Sequence, residues 1–253
     1  MRGPRRPDTL FWVDPARIAG SRLSLDAVES RHLLRVFRAE PGVLFEATDG
    51  VGNRYHCRLA EDHHGEARAE ILARESGSGE LSGTLHLLVG LPDYHATEAI
   101  VEHAVPLGVS SIVFAVCRRS GRDELGPARL ERLKRIAVAG VKQSLRSRLP
   151  VLGTTPSLAT ALAAAHPSDR YVADPAGVTA AIRTTDANQG AQPIITLAVG
   201  PPGGFEEGEG TELRASGFSP ICLGPSRLTT ETASLALLVL ARNSFVHRGL
   251  GGI

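Results

Sequence analysis

Three short apolar runs, Leu85–Gly90, Ser111–Val116 and Ile194–Val199, constrain the fold of this chain more than any other feature. Each is too short for a stable helix, and none alternates as a half-buried strand does. They read as strands buried on both faces. Helical patterns lie between and after them. Ala96–Leu107 is stopped by Gly108, Pro127–Leu145 opens on a proline suited to a first turn, and Leu158–Ala165, Glu206–Ser216 and Glu231–Phe245 follow. Tyr171–Ala173 and Pro220–Leu223 read as further short strands. Alternating strands and helices predict an α/β unit with a mainly parallel sheet covered on both faces. Ligands of such sheets bind beyond the carboxyl ends of the strands, which directs attention to the loops after Val199 and Leu223.

The first 75 residues have a different texture. Ser24-Leu25-Asp26 opens a helical pattern with Val28, Leu33, Leu34 and Phe37 as its apolar stripe, and Pro41-Gly42 ends it. Val43–Ala47 and Tyr55–Leu59 flank the turn Asp49-Gly50-Val51-Gly52 as a hairpin, and Ala67–Ala73 gives a third strand. The small, polar segment 76–83 reads as a linker. A chain of 253 residues therefore divides into domains 1–75 and 84–253.

Composition excludes several classes. With 42% hydrophobic and 22% charged residues the chain is not disordered, and a net charge of +1 means that any nucleic-acid site must be local. Cys57, Cys117 and Cys222 are far apart with no CxxC pair, so neither a disulfide framework nor a cysteine zinc site is expected. The nine histidines lack metal-ligand spacing, and no metal is expected. Leu10–Val13 is too short for a signal peptide and Leu235–Ala241 too short for a membrane span, which predicts a soluble, cytoplasmic protein with no membrane partner.

Three constellations could carry chemistry. In Val199-Gly-Pro-Pro-Gly-Gly-Phe-Glu-Glu207, glycines allow close approach to a ligand, whereas the absent Gly-Lys-Ser/Thr and the two glutamates argue against phosphate. The same glycines and prolines would also serve simply to turn the chain. In Leu223-Gly-Pro-Ser-Arg-Leu-Thr-Thr-Glu-Thr-Ala233, Thr230 and Glu231 suit a loop site and equally a helix cap and its dipole. Between Ala115 and Pro150 lie ten basic and three acidic residues, a local net of +7. Arg118, Arg119, Arg146 and Arg148 fall in loop-like stretches suited to RNA phosphates, while Arg129–Arg135 could equally be a solvated helix face. Arg31, Arg35 and Arg38 share one face of the first helix, either as an RNA dock or as a solvated face.

The two Gly-Pro segments together resemble the signature of the small-subunit rRNA uridine-N3 methyltransferases, the RsmE group of the SPOUT superfamily. Arg31-His-Leu-Leu-Arg-Val-Phe-Arg38 with Pro41-Gly42, Leu107-Gly108-Val109 and Lys142–Pro150 match the group in order along nearly the whole chain. The resemblance implies an N-terminal PUA-like β-barrel that binds RNA, a C-terminal SPOUT α/β domain with a trefoil knot, and a homodimer acting on 16S rRNA in the small ribosomal subunit. It implies S-adenosylmethionine as cofactor, held by Ala173, Val199, Gly200, Pro201, Gly203 and Gly204 from one side. Leu223, Gly224, Leu228, Thr230 and Ala233 would hold it from the other. Glu231, as base or base-orienting group, and Arg227, as anion-stabilising cation, would be catalytic, and Gln143 and Ser144 would join the arginines on RNA.

Several residues depart from the group's pattern. Pro202 and Lys142 stand where glutamate is usual, Leu145 where glycine is, Thr229 where arginine is, and Pro106 inside an expected helix. A lysine typical of the stretch around Pro92-Asp93-Tyr94 is missing. Two alternatives therefore stand beside an active uridine methyltransferase: a related enzyme with another RNA target, and a drifted protein that binds cofactor or RNA without turnover.

Overall fold

The computed structural model describes residues 9–121, 124–165, 168–178, 182–183 and 192–246. The chain divides into two compact units. The first comprises residues up to Glu80 together with Val138–Leu149; the second comprises Leu81–Ala137 and the chain from Pro150 onward.

In the first unit β1 (Leu10–Trp12), β2 (Ile18–Ala19), β3 (Arg22–Ser24), β4 (Leu44–Thr48), β5 (Asn53–His63) and β6 (Glu66–Ser76) form one curled sheet. Its order is β1-β4-β5-β6-β3-β2. Only the β1–β4 pair is parallel. Strict alternation along β5 turns Tyr55, Cys57 and Leu59 inward, where they join Phe11, Phe45, Ala67 and Ala69 in the core. Two register shifts between β5 and β6 bend the pair.

The helix expected through Phe37 is broken. Asp26 caps α1 (Ala27–Arg31) through the Val28 and Glu29 amides, but residues His32–Val36 form a π-helical turn. The wider turn changes the phase of the helix. Leu33 is buried, Val28 is 75% exposed, and Arg38 lies beyond the helix with φ +51°. Arg31, Arg35 and Arg38 thus do not share one regular helical face. The segment expected as a linker starts inside β6 at Ser76, and Glu80 is bonded to the loop that follows α3 (Pro127–Gln143).

The second unit contains β7 (Thr84–Gly90), α2 (Tyr94–Ala104), β8 (Ser111–Ala115), the first part of α3, β9 (Val151–Thr155), α4 (Leu158–Ala163) and β10 (Asp169–Val178). It closes with β11 (Ile194–Val199), α5 (Glu207–Ala215), β12 (Ser219–Ile221) and α6 (Thr230–Val246). All six strands are parallel, in order β12-β10-β11-β7-β8-β9. Both faces are covered, as the continuous apolar runs predict. α6 packs on β7, β11 and α2. On the opposite face Leu158, Ala161, Leu213 and Phe218 close over Leu88, Val172 and Ala198. α2 stops at Ala104, short of the expected Leu107, because Pro106 cannot continue the amide ladder.

The strand order reverses between β7 and β11, so the carboxyl ends of β11, β10 and β7 form a topological switch point. The loops after β11 and β12 emerge there.

Candidate functional site

The loop after β11 is a tight turn. The Gly204 amide donates to the Pro201 carbonyl at 2.7 Å, which places Pro202 at the turn's second position, where a fixed φ is already correct. Pro202 thus removes a carboxylate relative to the expected glutamate and stiffens the corner. Gly200 packs against the next turn of chain: a Cβ there would meet Gly204 Cα and the Phe205 amide nitrogen at 2.9 Å. Only glycine allows the loop to fold back this far.

The loop after β12 closes over the first. Thr230 opens α6, and its hydroxyl donates to the Gly200 carbonyl at 3.1 Å; Arg227 Nη2 reaches the Pro202 carbonyl at 3.5 Å. Thr230 therefore ties the two Gly-Pro segments together, while Thr229 Oγ1 accepts from the Thr232 amide at the helix start.

These loops enclose a cavity of about 480 Å³, within the range of small-ligand sites. All eleven residues expected to hold a cofactor line it, from Ala173 at β10 to Ala233 on α6, and so does Arg227. Its walls are largely apolar side chains and open backbone, with Asp174 and Arg227 as the ionisable groups of the lining. Asp174, Pro175, Pro202, Pro225, Ser226 and Thr229 complete it. Asp174 and Pro175 are missed by reading the two motifs alone; the strand expected at Tyr171–Ala173 runs from Asp169 to Val178, and both residues lie within it, just after that short run.

Glu231, expected as a base, is absent from the lining. It follows Thr230 by one position, about 100° around the helix, so the residue that faces the cavity is Thr230. Glu231 stands in the first turn of α6, where a carboxylate complements the helix dipole.

Glu206 and Glu209 form a capping box at the start of α5, and Glu209 also accepts from the Arg118 amide at 2.8 Å. Of the two glutamates expected to repel phosphate, Glu206 therefore serves the helix cap, whereas Glu207 takes no part in the box. Burial, with Glu209 nearby, pushes the Cys117 thiol up to about 12, so this cysteine is not a nucleophile.

The basic constellation is not a uniform field. Arg146 is 3% exposed, and its Nε and Nη2 donate to Glu80 Oε2 at 3.2 and 2.8 Å. It is a buried fastener within the first unit rather than an RNA-facing residue. Lys142 is bound to the buried Glu29, and Ser144 donates to the Gly140 carbonyl at 2.6 Å. Arg129 and Arg132 both pair with Glu98, and Arg129 lies 4.1 Å over the Tyr94 ring. Arg119 donates to the Gly203 carbonyl at 2.8 Å from outside the cavity. Arg31, Arg35, Arg38, Arg118, Gln143 and Arg148 are exposed. Among the described residues no group of three or more His, Cys, Asp or Glu could hold a metal ion, and no helix is long and apolar enough to cross a membrane.

The profile of the RNA methyltransferase domain family matches residues 80–242. A ribosomal RNA small subunit methyltransferase E of Aquifex aeolicus is 29% identical over 240 residues, 92% of this chain and 99% of the relative. Among solved structures, a probable rRNA-methyltransferase from Porphyromonas gingivalis superposes with a TM-score of 0.78 at 26% identity, covering 95% of this chain and 99% of that one. A ribosomal RNA small subunit methyltransferase E from Neisseria gonorrhoeae, bound to S-adenosyl methionine, superposes with a TM-score of 0.76 at 24% identity. It covers 93% of this chain and 97% of that one.

Proposed function

Because the chain belongs to the RNA methyltransferase domain family, and within it to the RsmE group, we propose that it methylates N3 of a uridine in 16S rRNA of the small ribosomal subunit, using S-adenosylmethionine. The observation that carries this reading is the cavity of about 480 Å³ beyond the carboxyl ends of the parallel strands, closed by the two Gly-Pro loops. Its donor set fits the cofactor. Leu223, Leu228, Val199 and Ala233 offer apolar walls for a purine, and the glycine-rich loops offer open backbone for its polar edge.

When bound, S-adenosylmethionine supplies a methyl group already activated on a sulfonium. The protein's remaining work is positioning, water exclusion and handling of the N3 proton of uracil, which must leave before or during attack. Arg227, exposed at the cavity and bonded to the Pro202 carbonyl, is the cation we assign to stabilising the deprotonated ring. Glu231 stays outside that lining, and its part would be electrostatic at the start of α6.

The same reading takes the first unit as a PUA-like barrel that docks RNA through Arg31, Arg35 and Arg38. Arg118, Arg119, Gln143, Ser144 and Arg148 would meet RNA elsewhere. It takes the Thr230–Gly200 tie as part of a trefoil knot, the working unit as a cytoplasmic homodimer, and the apolar Val239 and Leu240 exposed on α6 as part of its contact.

The test is incubation with methyl-labelled S-adenosylmethionine and unmodified small ribosomal subunits, followed by reverse transcription. An N3 methyl blocks Watson–Crick pairing, so one strong stop at a uridine is expected. Label without a stop would point to another atom or target. No label, with the cofactor still bound, would leave a binding protein that has lost turnover.

A further inference from the structure

A second cleft of about 380 Å³ adjoins the cofactor cavity. The two share the wall made by Ala173, Asp174, Pro175, Gly200, Gly203 and Gly204. Their chemistry differs. The larger compartment is mainly apolar, with Asp174 and Arg227 as its ionisable groups, while the second adds Glu206, Glu207 and Arg214, charges of both signs. A ligand with an apolar aromatic end and a zwitterionic amino-acid end matches this pair of compartments. In S-adenosylmethionine the atom joining the two ends is the positively charged sulfur.

Asp174 is the one ionisable residue in the shared wall. It stands where β10 loses register with β12, just past the Ala173–Ile221 pair. Its Oδ1 accepts from the Ala176 amide at 2.8 Å, which fixes the side chain in a local turn. Asp174 lines both compartments, and no other hydrogen bond or ion pair of its carboxylate occurs among the described residues. A carboxylate held by its own backbone on the wall of both compartments attracts a cation placed at the seam.

Resting on the cofactor reading above, we infer that Asp174 reads the sulfonium charge, distinguishing the methyl donor from its uncharged product, S-adenosylhomocysteine. The residue acts on cofactor selection and product release, separately from the handling of the uracil proton.

The test is calorimetric titration of the wild-type protein, Asp174→Asn and Asp174→Ala with three probes. S-adenosylmethionine carries the sulfonium, sinefungin carries an amine cation near the same place, and S-adenosylhomocysteine carries neither. Asn keeps an oxygen for the Ala176 amide, so the turn survives. The expected result in Asp174→Asn is a fall on the order of tenfold in affinity for both cationic probes, with affinity for S-adenosylhomocysteine held within about twofold. Added salt should weaken the cationic probes more than the neutral one in the wild type, and equally in the variant. Equal weakening of all three probes by Asp174→Asn would overturn the inference, because the carboxylate would then serve a hydroxyl or the loop. Unchanged binding of all three would overturn it as well. If the wild type binds none of the probes, the cofactor reading itself fails, and that outcome is distinct from either.

Discussion

Replacing Arg146 by Met separates a structural arginine from an RNA-binding one. The guanidinium gives two hydrogen bonds to Glu80 Oε2, while Glu80 Oε1 accepts from the Ser147 and Arg148 amides at 2.9 and 2.8 Å. The side chains are 3% and 12% exposed, so this pair is shielded from solvent and from salt. Met fills much of the volume but leaves the Glu80 charge buried with only the amide donors. Breaking a buried pair this way costs about 3–5 kcal/mol. For a chain of this size each kcal/mol moves the melting midpoint by about 2–4 °C, so a fall of about 10 °C is expected in the melting transition of the chain. Scanning calorimetry measures it. The double variant Glu80→Gln with Arg146→Met should recover more than half of the loss, because no charge is then stranded. RNA affinity of Arg146→Met, measured well below its midpoint, should match the wild type, whereas Arg118→Ala should weaken RNA binding at unchanged stability. An unshifted midpoint together with lost RNA affinity would refute the assignment.

Other expectations follow from single residues. Leu145 is 43% exposed and sits at φ +59°, a conformation that costs a non-glycine residue about 1–2 kcal/mol. Leu145→Gly relieves it, and after the larger unfolded-state entropy of glycine a gain of about 0.5–1 kcal/mol should appear in urea titrations; a loss would show that Leu145 packs better than its exposure implies. Gly200→Ala should abolish cofactor binding measured by calorimetry while the first unit keeps its melting transition, since the added Cβ meets backbone at 2.9 Å. At Asp49, burial opposes ionisation, but hydrogen bonds from the Asn53 side chain, the Asn53 and Val51 amides and Tyr55 outweigh it and hold the pKa below the ordinary 3.8. A folded-state pKa below the unfolded one gives stability that is complete above about pH 5 and is lost as pH falls through both values. Asp49→Asn should therefore be less stable at pH 7 and show a flatter fall between about pH 5 and pH 2; an unchanged acid slope would remove Asp49 from the account.

The parallel sheet was legible because its signal is local. Runs such as Leu85–Gly90 declare burial on both faces without reference to any partner, and the loop after each strand then points to the site. The strands β1, β2, β3 and β9 carried no such signal. They span two to five residues, and Val151 on β9 is 69% exposed, so pairing rather than pattern defines them. The break at His32–Val36 was also invisible, because a π turn depends on packing Leu33 into the core rather than on local propensity. The cavity was legible where motif and strand end coincide. Asp174 escaped because it belongs to no glycine motif, and Glu231 was drawn in because adjacency in sequence hides a turn of 100° on a helix.

Charge was the least legible quantity, for a reason that bears on RNA recognition. Counting from Ala115 to Pro150 gives +7, yet among the described residues four of the five acids that meet these bases lie outside that window, Glu131 beside Lys134 being the exception. Glu29 holds Lys142, Glu80 holds Arg146, Glu98 takes both Arg129 and Arg132, and Glu206 approaches Arg119 at 3.9 Å. Partners up to 113 positions apart cancel much of the apparent field. The pairs also differ in kind. Those of Glu98 are exposed, are worth little and would yield to a phosphate, whereas those of Glu29 and Glu80 are buried and would not. The salt dependence of RNA binding should therefore report fewer phosphate contacts than the ten bases suggest. Charge removal at Lys142 or Arg146 should act on stability, and removal at Arg118, Arg135 or Arg148 on the slope itself.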